Sequence, residues 1–324
     1  MPDDGRQPAF ERHVVVVLSW NGLDDALACV ESLLVGSPEV GVLVVDNGSF
    51  DGTLEAVVAR WPTVHTLQTG ENQGFAGGMN SGIRHALGHG AECVTILNND
   101  TLVPPGAMSE LERAAGERIA VSPTVVYRDA PGEIWFGGGT LDLRNGFPFH
   151  TPSAELDPCQ AGLRATELLA GCCITASRQV WQRVGLFDDR FFLNFEDSEW
   201  SVRAGANGVG LAVVCDTRIL HSVSASFRGA AATLGSYYYI RNGLLFNRLV
   251  GASWTSRVVF LRRRVLPGLP HDSARETLRS LLVLGWAVAA YTMRRFGAAP
   301  RSLQKLARSW NRPRSQMTSA KPRS

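Results

Sequence analysis

Acidic residues nearly vanish from the last quarter of this sequence. Residues 241–324 hold 17 Lys and Arg against 2 Asp and Glu, leaving 15 basic and 28 acidic groups in residues 1–240. The formal charge of +2 therefore hides a divided chain. Its basic end suits an anionic partner, either a membrane surface or a nucleic acid. Long apolar runs are missing too. The longest uncharged run, between Arg279 and Arg294, is 14 residues, short of the ~20 that a spanning helix needs. No C-x-x-C pair occurs among Cys29, Cys93, Cys159, Cys172, Cys173 and Cys215. In a chain of 324 residues they are not the dense framework of a small secreted domain. They are expected to be buried free thiols. Met1–Arg12 is polar, so no signal peptide is read there. The expected location is cytoplasmic, with peripheral attachment to the inner face of a membrane.

Two loop signatures are also absent. The loop after the first apolar run, Ser19–Trp20–Asn21–Gly22, carries no Lys or Arg, which argues against a sugar-phosphate nucleotidyltransferase and its basic, Gly-rich first loop. The Gly-rich stretch Asn72–Asn80 neither follows the first strand nor has the G-x-G-x-x-G spacing, so the dinucleotide fingerprint is excluded. Its glycines are expected to let the backbone approach a diphosphate.

What is present alternates between strand and helix. Val14–Leu18 is a continuous β-branched run, the pattern of a strand buried on both faces. Leu23, Leu27, Val30 and Leu34 follow at helical spacing, with Asn21 or Asp24 placed to cap. Val42–Val45, Val64–Leu67 and Val94–Leu97 read as further strands, and Leu54–Trp61 and Gly77–Leu87 as helices. This order predicts an α/β fold with a mostly parallel central sheet flanked by helices, and ligands at the carboxyl ends of the strands. Residues 127–165 are rich in Gly and Pro and predict loops and short antiparallel strands. Ser177–Val184 and Asp197–Ala206 read as helices and Gly210–Cys215 as a strand. Beyond Tyr237 the chain turns helical and basic.

Three polar clusters fall where such a sheet binds ligands. Asp46–Asn47–Gly48–Ser49 follows the second strand, and its Asp suits either a turn or a nucleobase or ribose contact. Asn98–Asn99–Asp100–Thr101 follows the fourth strand. A carboxylate there suits a hard divalent cation shared with phosphates, or a capped loop. Phe195–Glu196–Asp197–Ser198–Glu199–Trp200 puts three carboxylates at a helix start. The helix dipole favours them there, and the aromatic neighbours suit a general base.

The sequence resembles the family 2 glycosyltransferases, especially their bacterial rhamnosyltransferase branch, from about Val14 to Leu245. An ordered set of motifs carries the resemblance: VVVVLSWNG (14–22), VVDNGSFDGT (44–53), NQGFAGGMNSGI (72–83), LNNDT (97–101), AGCCITASRQVWQRVGLFDDRFF (170–192), FEDSEW (195–200), HSVSAS (221–226) and YYYIRNGL (237–244). It implies the GT-A fold, a nucleotide-diphosphate sugar donor (dTDP- or UDP-linked), Mg2+ or Mn2+, and a glycan or lipid-linked acceptor in cell-envelope polysaccharide synthesis. It implies that Asp46 contacts the base, that Asn80, Asn98, Gly171 and Arg241 help bind the nucleotide-sugar, and that Asp100 and His221 hold the metal. Asp197, paired with Glu196, would be the base of an inverting transfer. Asn98 stands where the strict metal motif has an Asp, which shifts the charge onto Asp100. It also leaves open a catalytically weak sugar-nucleotide or glycan-binding protein of the same fold.

The expected organisation is a nucleotide-sugar-binding half (1–126), an acceptor and catalytic half (127–245), a helical basic extension (246–308) and a disordered tail (309–324). Leu and Val mixed into the basic extension favour an anionic membrane surface over nucleic acid as its partner.

Overall fold

The computed structural model describes residues 11–142, 144, 146–222, 230–269 and 273–310. The β-branched run becomes β1 (His13–Ser19), every residue of it buried, because helices cover both faces of the sheet. It leads into α1 (Leu23–Gly36), β2 (Gly41–Asp46), α2 (Thr53–Arg60), β3 (His65–Gln68), α3 (Gly74–Gly88) and β4 (Cys93–Asn98). β2 and β4 flank β1, both parallel to it, and β3 extends the sheet beyond β2. The strand order thus reverses at β1, the position at which open α/β sheets generally bind ligands beyond their carboxyl ends.

The second half completes the sheet with mixed strands. β5 (Thr101–Leu102) and α4 (Ala107–Ala114) precede β6 (Ile119–Tyr127) and β7 (Ile134–Phe136). β8 (Gly139–Asp142) and β9 (Phe147–His150) form a separate antiparallel hairpin, and β10 (Leu163–Ala165) is short, as the Gly and Pro content of this stretch predicts. β11 (Cys173–Ser177) runs antiparallel between β4 and β6. It is followed by α5 (Arg178–Val184), α6 (Glu196–Ala206) and β12 (Gly210–His221). β12 pairs parallel with β6 and, at its far end, antiparallel with β5.

Two cores sandwich the sheet. On one face α3, α5 and α6 bring Met79, Ile83, Trp181 and Trp200 against Val14, Val16 and Ile96. On the other, α1, α2 and α4 bring Val30, Leu33, Val57 and Leu111 against Val15, Val17 and Val44. The glycines of α3 belong to this packing. A side chain at Gly78 would strike Leu18, and one at Gly82 would strike Val16, so α3 can lie close on the sheet. The expectation that this stretch makes room for a diphosphate gives way to helix–sheet contact.

α7 (Ala230–Leu249) and α8 (Trp254–Phe260) begin the basic region, followed by a π-helical turn at Leu261–Val265, α9 (Ala274–Thr292) and α10 (Arg301–Trp310). They share a third core with Phe147, Phe191 and Phe195, so the extension packs into the rest of the chain. The expected boundary at 245/246 falls inside α7, and the expected tail begins within α10. Residues 311–324, and 223–226 of the HSVSAS motif, lie outside the described residues. No helix among the described residues is long and apolar enough to cross a membrane.

Two local expectations are corrected. Gly22 occupies the cap position of α1, and neither Asn21 nor Asp24 caps it. The Leu23 N–H instead donates to Asp51 Oδ2 from the next loop, at 3.1 Å. Cys159 and Cys215 are bridged, with Cα atoms 6.4 Å apart, whereas Cys29, Cys93, Cys172 and Cys173 are free and buried. The pairing of β10 with β12 brings the two thiols together across a separation of 56 residues, which spacing alone does not disclose. Protein purified without reductant and then denatured should titrate four thiols, rising to six after reduction. Cys159→Ser should lower stability by about 2–4 kcal/mol in denaturant unfolding.

Candidate active site

The carboxyl ends of β1, β2 and β4 bring three polar loops together. At the end of β2, Asp46 is buried. Its Oδ1 accepts the Ser49 N–H at 3.0 Å and its Oδ2 accepts the Gln68 amide at 3.2 Å. Asn21 crosses from the β1 loop, its N–H on Ser49 Oγ and its Oδ1 under the Phe50 N–H, both at 3.0 Å. Asn99 donates back to Ser19 Oγ at 3.2 Å and to the Gly22 carbonyl at 3.4 Å. The three loops therefore form one tied platform.

Beside it, Asp100 meets His221. Asp100 Oδ1 lies 3.1 Å from His221 Nε2, and Asn98 Nδ2 is 3.5 Å from the same nitrogen. The approach is set by backbone, since β12 pairs His221 with Thr101 and the Ser222 N–H donates to the Asp100 carbonyl at 3.0 Å. His221 Nδ1, the ring nitrogen turned away from Asp100, is buried without a hydrogen-bond partner, and the touching carboxylate and imidazole are both groups able to ligate a cation. Among the described residues no group of three or more His, Cys, Asp and Glu could hold a metal. Two protein ligands nevertheless fit a divalent ion that completes its shell with phosphate oxygens and water.

Asp25, on the first turn of α1, faces this pair and was not expected in the site. Burial first, and then the Asp100 charge, raise its carboxyl above the usual range, against the pull of Arg128. Arg128, just past β6, reaches Asp25 Oδ1 at 3.8 Å and Ser222 Oγ at 3.5 Å. An acidic residue in a first helical turn reads as dipole capping, so no sequence signal separates Asp25 from an ordinary cap.

The acidic cluster lies on the other side of Gly171–Cys172. The Cys172 carbonyl accepts the Asn98 N–H at 3.0 Å, and the Gly171 N–H donates to Asp197 Oδ2 at 3.0 Å. A Cβ at Gly171 would sit 3.0 Å from that same oxygen, so glycine is what lets the backbone cradle the carboxylate. Asp197 Oδ1 accepts the Ser198 N–H at 2.6 Å and its hydroxyl at 3.1 Å. The positive end of α6 adds to these donors. Glu196, one residue earlier, is buried, and its Oε2 has no partner. Burial, and next the Asp197 charge, push its carboxyl up to about 8.

Residues 14–164 match the sequence profile described as glycosyl transferase family 2. This stretch, from β1 into β10, is similar to that family. N-acetylglucosaminyl-diphospho-decaprenol L-rhamnosyltransferase of Mycobacterium tuberculosis is 29% identical over 265 residues, 74% of this chain and 85% of that protein. dTDP-rhamnosyl transferase RfbF of Shigella flexneri is 24% identical over 214 residues, 64% of this chain and 70% of that protein. A mannosyltransferase from Pyrobaculum calidifontis in complex with GDP-Man and Mn2+ superposes with a TM-score of 0.52 at 18% identity, over 97% of this chain and 90% of that one. GalNAc-T7 with UDP, GalNAc and Mn2+ superposes with a TM-score of 0.55 at 16% identity, over 81% of this chain and 57% of that one. The fold is GT-A, as the motifs imply.

Two expected binding residues are placed elsewhere. Asn80 is buried, donating to the Phe187 carbonyl (2.9 Å) and Asp189 Oδ1 (3.0 Å) and accepting the Phe187 N–H (2.9 Å). Both amide hydrogens and the amide oxygen are engaged in bracing that loop. Arg241 is fully buried, its guanidinium on the carbonyls of Arg190, Phe191 and Gly297 and on Asn242 Oδ1, with no face left for a diphosphate. Trp135 stands edge-on to His221, ring centroids 4.9 Å apart.

Glu196 gives the protein a measurable pH signature. An acid with a raised folded pKa ionises first in the unfolded chain, so stability falls as pH climbs from its ordinary 4.5 toward about 8. Glu196→Gln should flatten that fall. Denaturation midpoints of the two proteins should diverge in the variant's favour on moving from pH 5 to pH 8.

Proposed function

We propose that this transferase moves a sugar from a dTDP- or UDP-linked donor to a glycan or lipid-linked acceptor in cell-envelope polysaccharide synthesis. The transfer inverts the anomeric centre and uses Mg2+ or Mn2+. The observation that carries the reading is the placement of Asp197, held by the Gly171 N–H beside the strand end that presents Asp100. The rhamnosyl names of two relatives make dTDP-rhamnose the first donor to try.

Asp197 takes the proton of the acceptor hydroxyl as its oxygen attacks the anomeric carbon and the nucleoside diphosphate leaves. Its three donors keep it aimed. Glu196 holds its proton near neutral pH, so it is not the acceptor and spares the site a second negative charge. Asp46 sits where a nucleobase or ribose would reach the end of β2, and Gly171 walls the sugar position. Asp100 and His221, with Asn98 beside them, would hold the divalent ion, which neutralises charge on the departing diphosphate when bound. Arg128, on the same rim, stands in for Arg241 as the guanidinium toward phosphate. The charge missing at Asn98 favours a second reading, a binding protein with little turnover.

Substitution separates the two. Asp197→Asn should lose transfer by ~10²–10⁴-fold with donor affinity kept, and Asp100→Ala should weaken nucleotide binding only when Mn2+ is present. Native turnover in Asp197→Asn removes the base assignment, and full activity in EDTA removes the metal. Nucleotide-sugar binding by the native protein without any turnover establishes the second reading.

The extension would hold the enzyme at an anionic membrane surface. Leu278, Leu281 and Leu282 share one face of α9 and are exposed, as are Trp254, Leu266, Arg262 and Arg263. Apolar side chains beside cations suit the headgroup boundary. The protein should sediment with anionic vesicles at low salt and release at high salt, and Leu278→Gln with Leu281→Gln should abolish sedimentation. Equal sedimentation with neutral vesicles counts against the idea.

A further inference from the structure

The segment leading into α6 is held in a conformation it would not choose. Phe192, Asn194 and Phe195 have φ of 62°, 70° and 74°, a region that side-chain-bearing residues occupy only where their surroundings over-determine them. Phe195 immediately precedes α6, so the bend at 192–195 sets where that helix begins and where Asp197 points.

Two adjacent residues of α7 hold most of that bend. The Asn242 amide donates to the carbonyls of Phe191, Leu193 (2.6 Å) and Asn194 (3.2 Å). The Arg241 guanidinium donates to the carbonyls of Phe191 (3.1 Å) and Arg190 (3.3 Å), and its Nε to Asn242 Oδ1 at 2.9 Å. The faces of Tyr237 and Tyr238 lie 5.3 and 5.1 Å from the guanidinium. Neither Arg241 nor Asn242 is exposed. From the opposite side the Phe75 N–H donates to the Phe192 carbonyl at 2.6 Å, across Gly74, where any side chain would strike Phe192. Gly297, between α9 and α10, closes the ring: its N–H donates to the Arg190 carbonyl at 3.1 Å and its carbonyl accepts Arg241 at 2.6 Å.

We propose that Arg241 and Asn242 are positioning residues for the catalytic base, a buried clamp that fixes residues 190–195 and thereby aims Asp197. The inference rests on the reading of Asp197 as base. It gives the Arg-Asn pair a different part from phosphate binding, because its donors are directed to the loop carbonyls, to Gly297 and, within the pair, to Asn242. It also ties the C-terminal extension to the chemistry through Gly297.

Asn242→Asp is nearly isosteric, still accepts from Arg241, and removes the donors to the loop carbonyls. In the full-length protein, hydrogen exchange should quicken at residues 190–198 and stay native elsewhere. With dTDP-rhamnose and an N-acetylglucosaminyl diphospholipid, transfer kcat should fall roughly 10–100-fold, with nucleotide affinity unchanged. Hydrolysis of the donor by water, which makes less demand on the aim of the base, should fall less, so the transfer-to-hydrolysis ratio drops. Asn194→Gly in that background, which suits a positive φ, should recover part of the ratio. If Asn242→Asp fails to fold, Arg241→Lys is read by the same exchange and ratio. Native exchange at 190–198, or transfer, hydrolysis and nucleotide binding declining in equal proportion, overturns the clamp. Transfer surviving in Asp197→Asn overturns the base assignment itself, whereas its loss there with native turnover in Asn242→Asp overturns only the clamp.

Discussion

Parallel pairing of β1 with β2 on one side and β4 on the other is the constraint from which the site follows. It sends the ends of all three strands to one edge, so Asn21, Asp46 and Asp100 meet there. β11 runs antiparallel to β4 and therefore starts where β4 stops, which delivers Gly171–Cys172 to the same edge. β6 runs antiparallel to β11 and β12 parallel to β6, so both finish there, bringing Arg128 and His221. Residues scattered over two hundred positions converge because of strand direction, with no contribution from their own affinity for one another.

The parts legible in the sequence are those governed by local pattern. β1, β2, β4 and α1 to α3 follow from apolar periodicity, and the acidic clusters announce themselves at strand ends. β12 is longer than the Gly210–Cys215 pattern suggests, because a bulge between Val214 and Arg218 breaks the alternation and the strand resumes beyond it. Long-range partners were not legible. Cys159 and Cys215 meet only because β10 folds back on β12. Arg241 and Asn80 are polar residues inside motifs, and motif membership says that a residue matters without saying which way it faces. For Arg241 the three preceding tyrosines offered a hint, since a guanidinium surrounded by aromatic faces is commonly buried.

The C-terminal helices illustrate a related point. Charge suggested an appendage at the surface, and its exposed face does carry arginines and leucines. Its other face, through Val283, Ala287 and Leu303, belongs to the core that holds Phe191 and Phe195. One helical layer thus touches solvent on one side and supports the loop carrying Phe191 and Phe195 on the other.

The short ladder between β5 and β12 carries a consequence for quality control. Successive strand residues face opposite ways, so a slip of β12 by a single position would turn His221 away from Asp100. The bulge after Val214 resists such a slip by fixing the count of residues on either side. A copy of the chain that zips up out of step is therefore silent. The contact between Asp100 and His221 is thus present only in correctly threaded molecules.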